Sequence, residues 1–106
     1  TTFDDFQKVD IRGSTILAAE KGAKTKKLLK LTVDTGIDKR EIVSGIAEYY
    51  TPEELVGKQV LVLVNLEPRE LKGILSRGMI LMAQDASGKL RLLQPDDQTN
   101  PGATVG

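Results

Sequence analysis

Apolar positions gather in two unbroken runs in the second half of the chain, VLVLV at residues 60–64 and MILMA at residues 79–83. Runs of that length, with Gly57 and Lys58 before them and Gln84 and Asp85 after, predict two strands covered on both faces. Residues 65–78 between them are polar, and Pro68, Gly73 and Gly78 break up any long helix. This connection carries Arg69, Lys72 and Arg77 against Glu67 and Glu70. Two buried strands holding a polar connection predict a functional surface there.

The first half alternates instead. Over residues 8–20 the apolar parity changes, with Val9 and Ile11 odd and Ile16 and Ala18 even, which predicts a bulge near Gly13 and Ser14. Leu29, Leu31 and Val33 alternate with Lys30, Thr32 and Asp34 in a second strand. After a turn at Gly36 a third follows at residues 40–45, with Ile42 inward and Val43 opposite. Residues 51–57 (TPEELVG) form a short helix: an N-capping Thr51, Pro52 in the first turn, Glu54 three residues after the cap and Gly57 at the stop. Capping accounts for both Glu53 and Glu54 without catalysis. A second capped turn opens the chain, Thr2 preceding Phe3 and Phe6 on one face, where they are expected to close the end of the core as a lid. Further strands are expected at 59–64, 79–83 and 89–93, and from Gln94 onward the chain is polar and rich in turn residues.

Three strands, a short helix and further strands is the order of an all-β OB-fold, a five-stranded Greek-key barrel with short helices between strands three and four and at the amino terminus. One such domain occupies residues 1–106. Nucleic acids meet this fold on the face of strands two and three and on the connections from strand one to two and from four to five. The first of those connections holds a lysine cluster: Lys21, Lys24, Lys26, Lys27 and Lys30 fall in a stretch without an acidic residue. The second is the polar connection at 65–78. The two basic segments therefore occupy the two expected binding connections.

Composition narrows the chemistry. The chain has 106 residues, no Cys and no His, and its 15 basic and 15 acidic side chains cancel. Thiolate nucleophiles, the commonest zinc ligands and the usual general base are missing, so Ser44 and Ser76 have no His to activate them, and neither an enzyme nor a cofactor is expected. With no net charge, attraction to nucleic acid has to come from local clusters. No apolar run approaches a membrane span. The missing cysteines and the lack of a signal-like start suit a cytoplasmic protein, and a chain beginning with Thr is expected to be an excised piece of a longer one. None of the predicted strands holds an aromatic residue, so base stacking gives way to contact with phosphates and 2′-hydroxyls, a readout of folded RNA by shape.

The spaced motifs Val9-Asp10-Ile11-Arg12, Asp34-Thr35-Gly36, Val43-Ser44-Gly45-Ile46, Asn65-Leu66 with Pro68-Arg69, and Ser76-Arg77-Gly78-Met79 resemble the EMAP-II-type tRNA-binding domain family. Members occur as free tRNA-binding proteins and as the carboxyl-terminal domain of bacterial methionyl-tRNA synthetases, which the opening FDDFQKVDIR most resembles. The resemblance implies a non-catalytic OB-fold homodimer that binds tRNA with little sequence preference and helps a synthetase body in the same polypeptide to capture it. Its binding surface maps to Ser44, Asn65, Arg69, Ser76, Arg77 and Met79. The lysine connection adds Lys24, Lys26 and Lys27. Asn65 as a tie within its connection and Met79 as a core residue are the structural alternatives. Glu67 and Glu70 stand where the family commonly has lysines, so affinity is expected to be modest and to lean on the lysine cluster. Two other readings stay open. Relatives in the same family resemble export chaperones, in which case residues around Met79, Ile80 and Met82 would line a peptide groove. In a pure dimerisation module, Phe3, Phe6 and the tail would make the contact.

Overall fold

The computed structural model describes residues 1–22 and 25–106. Its longest element is β1 (Ile11–Lys21), which serves two neighbours in succession. Residues 11–15 pair antiparallel with β4 (Gln59–Leu63), and residues 15–21 with β2 (Leu29–Asp34). β2 pairs with β3 (Lys39–Ser44). β4 pairs on its other side with the two-residue β7 (Met79–Ile80), giving the path β3-β2-β1-β4-β7. The barrel closes without a regular ladder between its ends: Arg77 N–H donates to the Glu41 carbonyl (3.0 Å), and Val43 N–H donates to the Ser76 hydroxyl oxygen (3.0 Å). This is the expected OB architecture.

Its interior is filled by alternate residues. Leu29, Leu31 and Val33 from β2, Ile42 from β3 and Val60 and Val62 from β4 are fully buried together with Ile16, Ile46 and Leu55. Ala19, Leu31 and Ile42 lie directly opposite one another, so a single row crosses three strands into the core. Val43 points the other way, as expected, and is buried beneath the closing seam. α2 (Pro52–Leu55) has the full reciprocal cap: Glu54 N–H donates to Thr51 Oγ1, and Thr51 N–H donates to the Glu54 carboxylate. It inserts Leu55 at the base of the barrel.

Several expectations change. The bulge falls at Leu17, not at Gly13 and Ser14: Ile16 faces Val33 and Ala18 faces Thr32, leaving Leu17 without a partner. Ile11 looks outward, so its parity carried no information about the core. The run at 79–83 is interrupted at Leu81, whose N–H goes to the Leu61 carbonyl, and β8 (Met82–Gln84) then pairs with β9 (Leu90–Leu92). It is not covered on both faces, because Met79 is 43 % exposed. The polar connection contains a hairpin, β5 (Arg69–Leu71) with β6 (Ile74–Ser76). Lys72 and Gly73 form its two-residue loop, both at positive φ (50° and 82°), the geometry that fits the twist of paired strands. Beyond Gln94, β10 (Ala103–Val105) pairs with residues 11–13 of β1. α1 (Phe3–Phe6) forms on its Thr2 cap but is no lid, since Phe3 is 70 % and Phe6 41 % exposed.

Candidate nucleic-acid interface

Register decides where the two basic connections meet. Residues 22–28 join Lys21 of β1 to Leu29 of β2, which are paired to each other, and Gly22 N–H closes the connection on the Leu28 carbonyl. Leu29 lies opposite Ser44, and Ala47 N–H donates to the Lys27 carbonyl, so the lysine connection sits at the Ser44 end of β3. Ser76 adjoins Val43, and Arg69 lies opposite Ser76. Because 76 and 77 run antiparallel to β3, the tip of the β5–β6 hairpin extends past Ser44 toward the same end. Lys26, Lys27, Arg69 and Lys72 are exposed there. Lys24 lies outside the described residues.

The other expected contacts fare differently. Ser44 is half-buried at the strand end between the two connections. Ser76 is 4 % exposed and its hydroxyl is used internally, accepting from Val43 N–H and donating to the Gly78 carbonyl (3.1 Å). It is the closing bond of the barrel rather than a hydrogen-bond group offered to RNA. Asn65 is exposed, but its amide donates to the Lys8 carbonyl (2.7 Å) and accepts from Asp10 N–H (2.8 Å), tying the amino-terminal segment to the start of the connection. Arg77 is exposed at the far end of the seam, near Asp38, whose carboxylate it helps to stabilise. Met79 belongs elsewhere. It lies in one outward-facing row with Leu63, Ile11 and Val105, across β7, β4, β1 and β10. That row borders a shallow cleft of about 270 Å³ lined by Phe3, Phe6, Gln7, Val9, Val105 and Gly106.

Two arrangements were invisible to sequence reasoning. Arg40, whose side chain is 11 % exposed, is gripped by both oxygens of Asp38. It donates from Nη1 to the carbonyls of Val64 (2.7 Å) and Arg77 (3.1 Å). One buried guanidinium thus holds both ends of the 65–78 connection, and its hydrogen bonds, the largest influence, keep the Asp38 carboxyl below the ordinary carboxylate range. The second arrangement occupies the strand face. Lys30 Nζ lies 2.8 Å from Glu41 Oε2 and 3.3 Å from Glu20 Oε1, beside a cleft of about 290 Å³ lined by Ala18, Ala19, Glu20, Lys30, Thr32 and Glu41. The hydrogen bond to Glu41, then that to Glu20, raises the Lys30 pKa and holds the amine charged. Glu20 is the direct cross-strand neighbour of Lys30, but ten residues of separation carry no signal of that without the register.

A small OB barrel with basic connections converging at one end has the form of a nucleic-acid-binding class of domain. Residues 11–104 match the model of the tRNA binding domain family. The chain belongs to that family. It is 62 % identical over 105 residues to a methionine–tRNA ligase of Cytophaga hutchinsonii, covering 99 % of this chain and 15 % of that protein. The chain spans about 15 % of the length of the methionine–tRNA ligases it matches. Among solved structures, it is similar to a MetRS-related protein from Pyrococcus horikoshii (40 % identity, TM-score 0.94, covering 100 % of this chain and 97 % of that one). It is also similar to the chaperone CsaA from Bacillus anthracis (28 % identity, TM-score 0.91, covering 100 % and 98 %). Among the described residues no helix is long and apolar enough to cross a membrane.

Proposed function

We propose that this domain binds tRNA with little sequence preference, through Lys24, Lys26 and Lys27 of the first connection, Ser44 at the strand end, and Arg69 of the second. The observation that carries this reading is the register that brings the Ser44 end of β3, the lysine connection and the β5–β6 hairpin to one end of the barrel. Lysine and arginine on a scaffold whose strands hold no aromatic side chain favour phosphate and 2′-hydroxyl contacts, and therefore folded RNA. Within a cytoplasmic methionine–tRNA ligase, such a domain raises the local concentration of tRNA near a separate catalytic body. Asn65 and Ser76 contribute by holding the connections in place.

Two copies pair through the apolar row of Ile11, Leu63, Met79 and Val105 with Phe6 and Val9 beside it. Partly exposed apolar side chains from four strands and the leading segment support this. Sedimentation at tens of micromolar is expected to give a dimer, and a monomer would overturn the pairing.

Titration of salt against bulk tRNA tests the binding. About three phosphate contacts predict a fall of log affinity with log salt at a slope of roughly −2 to −3, and a flat response overturns it. The similarity to a chaperone favours peptide binding as a second reading, with the same apolar row as its groove. Ile80 and Met82, expected in that groove, pack against the core instead. Tight binding of an unfolded polypeptide that tRNA fails to displace would favour that reading.

A further inference from the structure

The strand face of an OB barrel is where oligonucleotides ordinarily lie, yet here its central lysine is held by two carboxylates. Lys30 stands in one cross-strand row with Glu20 and Val43, Val43 is bonded to Ser76, and Ser76 lies opposite Arg69. The lysine connection begins one residue further along, at the Lys21 and Leu29 pair. The Glu20–Lys30–Glu41 triad therefore lies on the strand face beside both basic connections, with Glu20 and Lys30 one residue from the first and Glu41 further along β3 from the Ser44 end. Two carboxylates against one ammonium leave it with one net negative charge.

Resting on the tRNA reading above, we infer that Glu20 and Glu41 determine the choice of folded over single-stranded RNA, by closing the strand face to a phosphate backbone laid along it. A flexible strand laid along the strand face next to the two connections meets uncompensated negative charge there and a lysine already occupied. A folded RNA is stiff enough to touch the two connections and stand clear between them. At ~0.15 M salt the screening length is about 8 Å, so phosphates held off the surface hardly feel the triad, whereas those in contact feel it strongly. Glu20 and Glu41 are well exposed and fill no core space, so this discrimination is separable from stability.

The test compares oligouridine and bulk tRNA on the full chain at ~0.15 M salt, with circular dichroism confirming the fold of each variant. In E20Q/E41Q the freed Lys30 adds one phosphate contact to a single strand. Its affinity for oligouridine is expected to rise about five- to tenfold, with a salt slope steeper by about 0.7, while tRNA affinity changes by about twofold or less. Adding Lys30→Met to that variant should cancel the gain. D96N/D97N removes the same charge from the tail beside Gln59. That site is five residues along β1 from Glu20 by register, so this variant should not reproduce the gain. Unchanged oligouridine binding, an equal gain for tRNA, or an equal gain in the tail variant overturns the inference. Wild-type protein that fails to bind tRNA would instead overturn the reading beneath it, and this inference with it.

Discussion

Arg40 and Asp38 meet through two parallel hydrogen bonds, Nε to Oδ1 and Nη2 to Oδ2, both 2.9 Å long. Asp38 directly precedes β3 and Arg40 lies in it, and the remaining edge of the guanidinium reaches both ends of a connection whose termini are separated by twelve residues of chain. The bonds to Val64 and Arg77 are therefore as well oriented as the ion pair that aims them.

This pair predicts an acid limb. The folded-state pKa of Asp38 is depressed, chiefly by Arg40, so its stabilising effect is complete above the ordinary carboxylate value and is lost as pH falls through the folded value. Melting temperature should therefore decline below about pH 4, and Asp38→Asn should flatten that part of the curve. Arg40→Met leaves two carbonyls short of a donor and is expected to cost about 2 to 4 kcal/mol in denaturant unfolding. Equal acid sensitivity in wild type and Asp38→Asn would refute the assignment.

Ser76→Ala separates closure of the barrel from RNA contact. Removing the hydroxyl leaves the Val43 N–H buried without a partner, a loss of about 1 to 3 kcal/mol. At temperatures where the variant is folded, tRNA affinity should stay within about twofold. A large loss of affinity with unchanged stability would return Ser76 to the binding surface.

Met79→Asp addresses the apolar row. A carboxylate among Leu63, Ile11 and Val105 should convert the proposed dimer to monomer in sedimentation, while binding of tRNA per protomer at saturation persists. A dimer that survives the substitution places the pairing surface elsewhere.

Gly36 carries a steric prediction. A Cβ there would come within 2.5 Å of both the Gly102 Cα and the Pro101 carbonyl oxygen, and the residue has a φ of 83°. Both obstacles are backbone and cannot swing aside. Gly36→Ala should lower stability by about 2 kcal/mol or more, read from urea unfolding, and should loosen the tail that leads into β10.

Much of the fold was legible because period and punctuation agree. The Leu29, Leu31, Val33 alternation places three residues in the core, and the Thr51 and Glu54 spacing gives the helix cap that forms. Misreadings arose where apolar residues face outward. Ile11 and Met79 belong to an exterior row, so the parity of Ile11 said nothing of the core and the run holding Met79 is not covered on both faces, and the two phenylalanines expected to lid the core are 70 % and 41 % exposed. β10 escaped notice because ATV between glycines is a weak strand signal until β1 offers it an edge. For the proposed site, charge singled out Lys26, Lys27 and Arg69, which the structure leaves exposed. Ser76 and Asn65 could not be separated from groups free to bind, since whether a hydroxyl or amide is already occupied depends on partners 33 and 55 residues away. Arg40 was hidden for the same reason.

Ile11 faces Val105 across β1, so the first and last strands of the domain run side by side. A short linker could join the two ends of this domain, and a new break at the Asp85–Gly88 turn, where Gly88 N–H returns to the Asp85 carbonyl, would cut no core strand. The molecule is thus suited to circular permutation, and to grafting into a loop of an unrelated host without pulling its barrel apart.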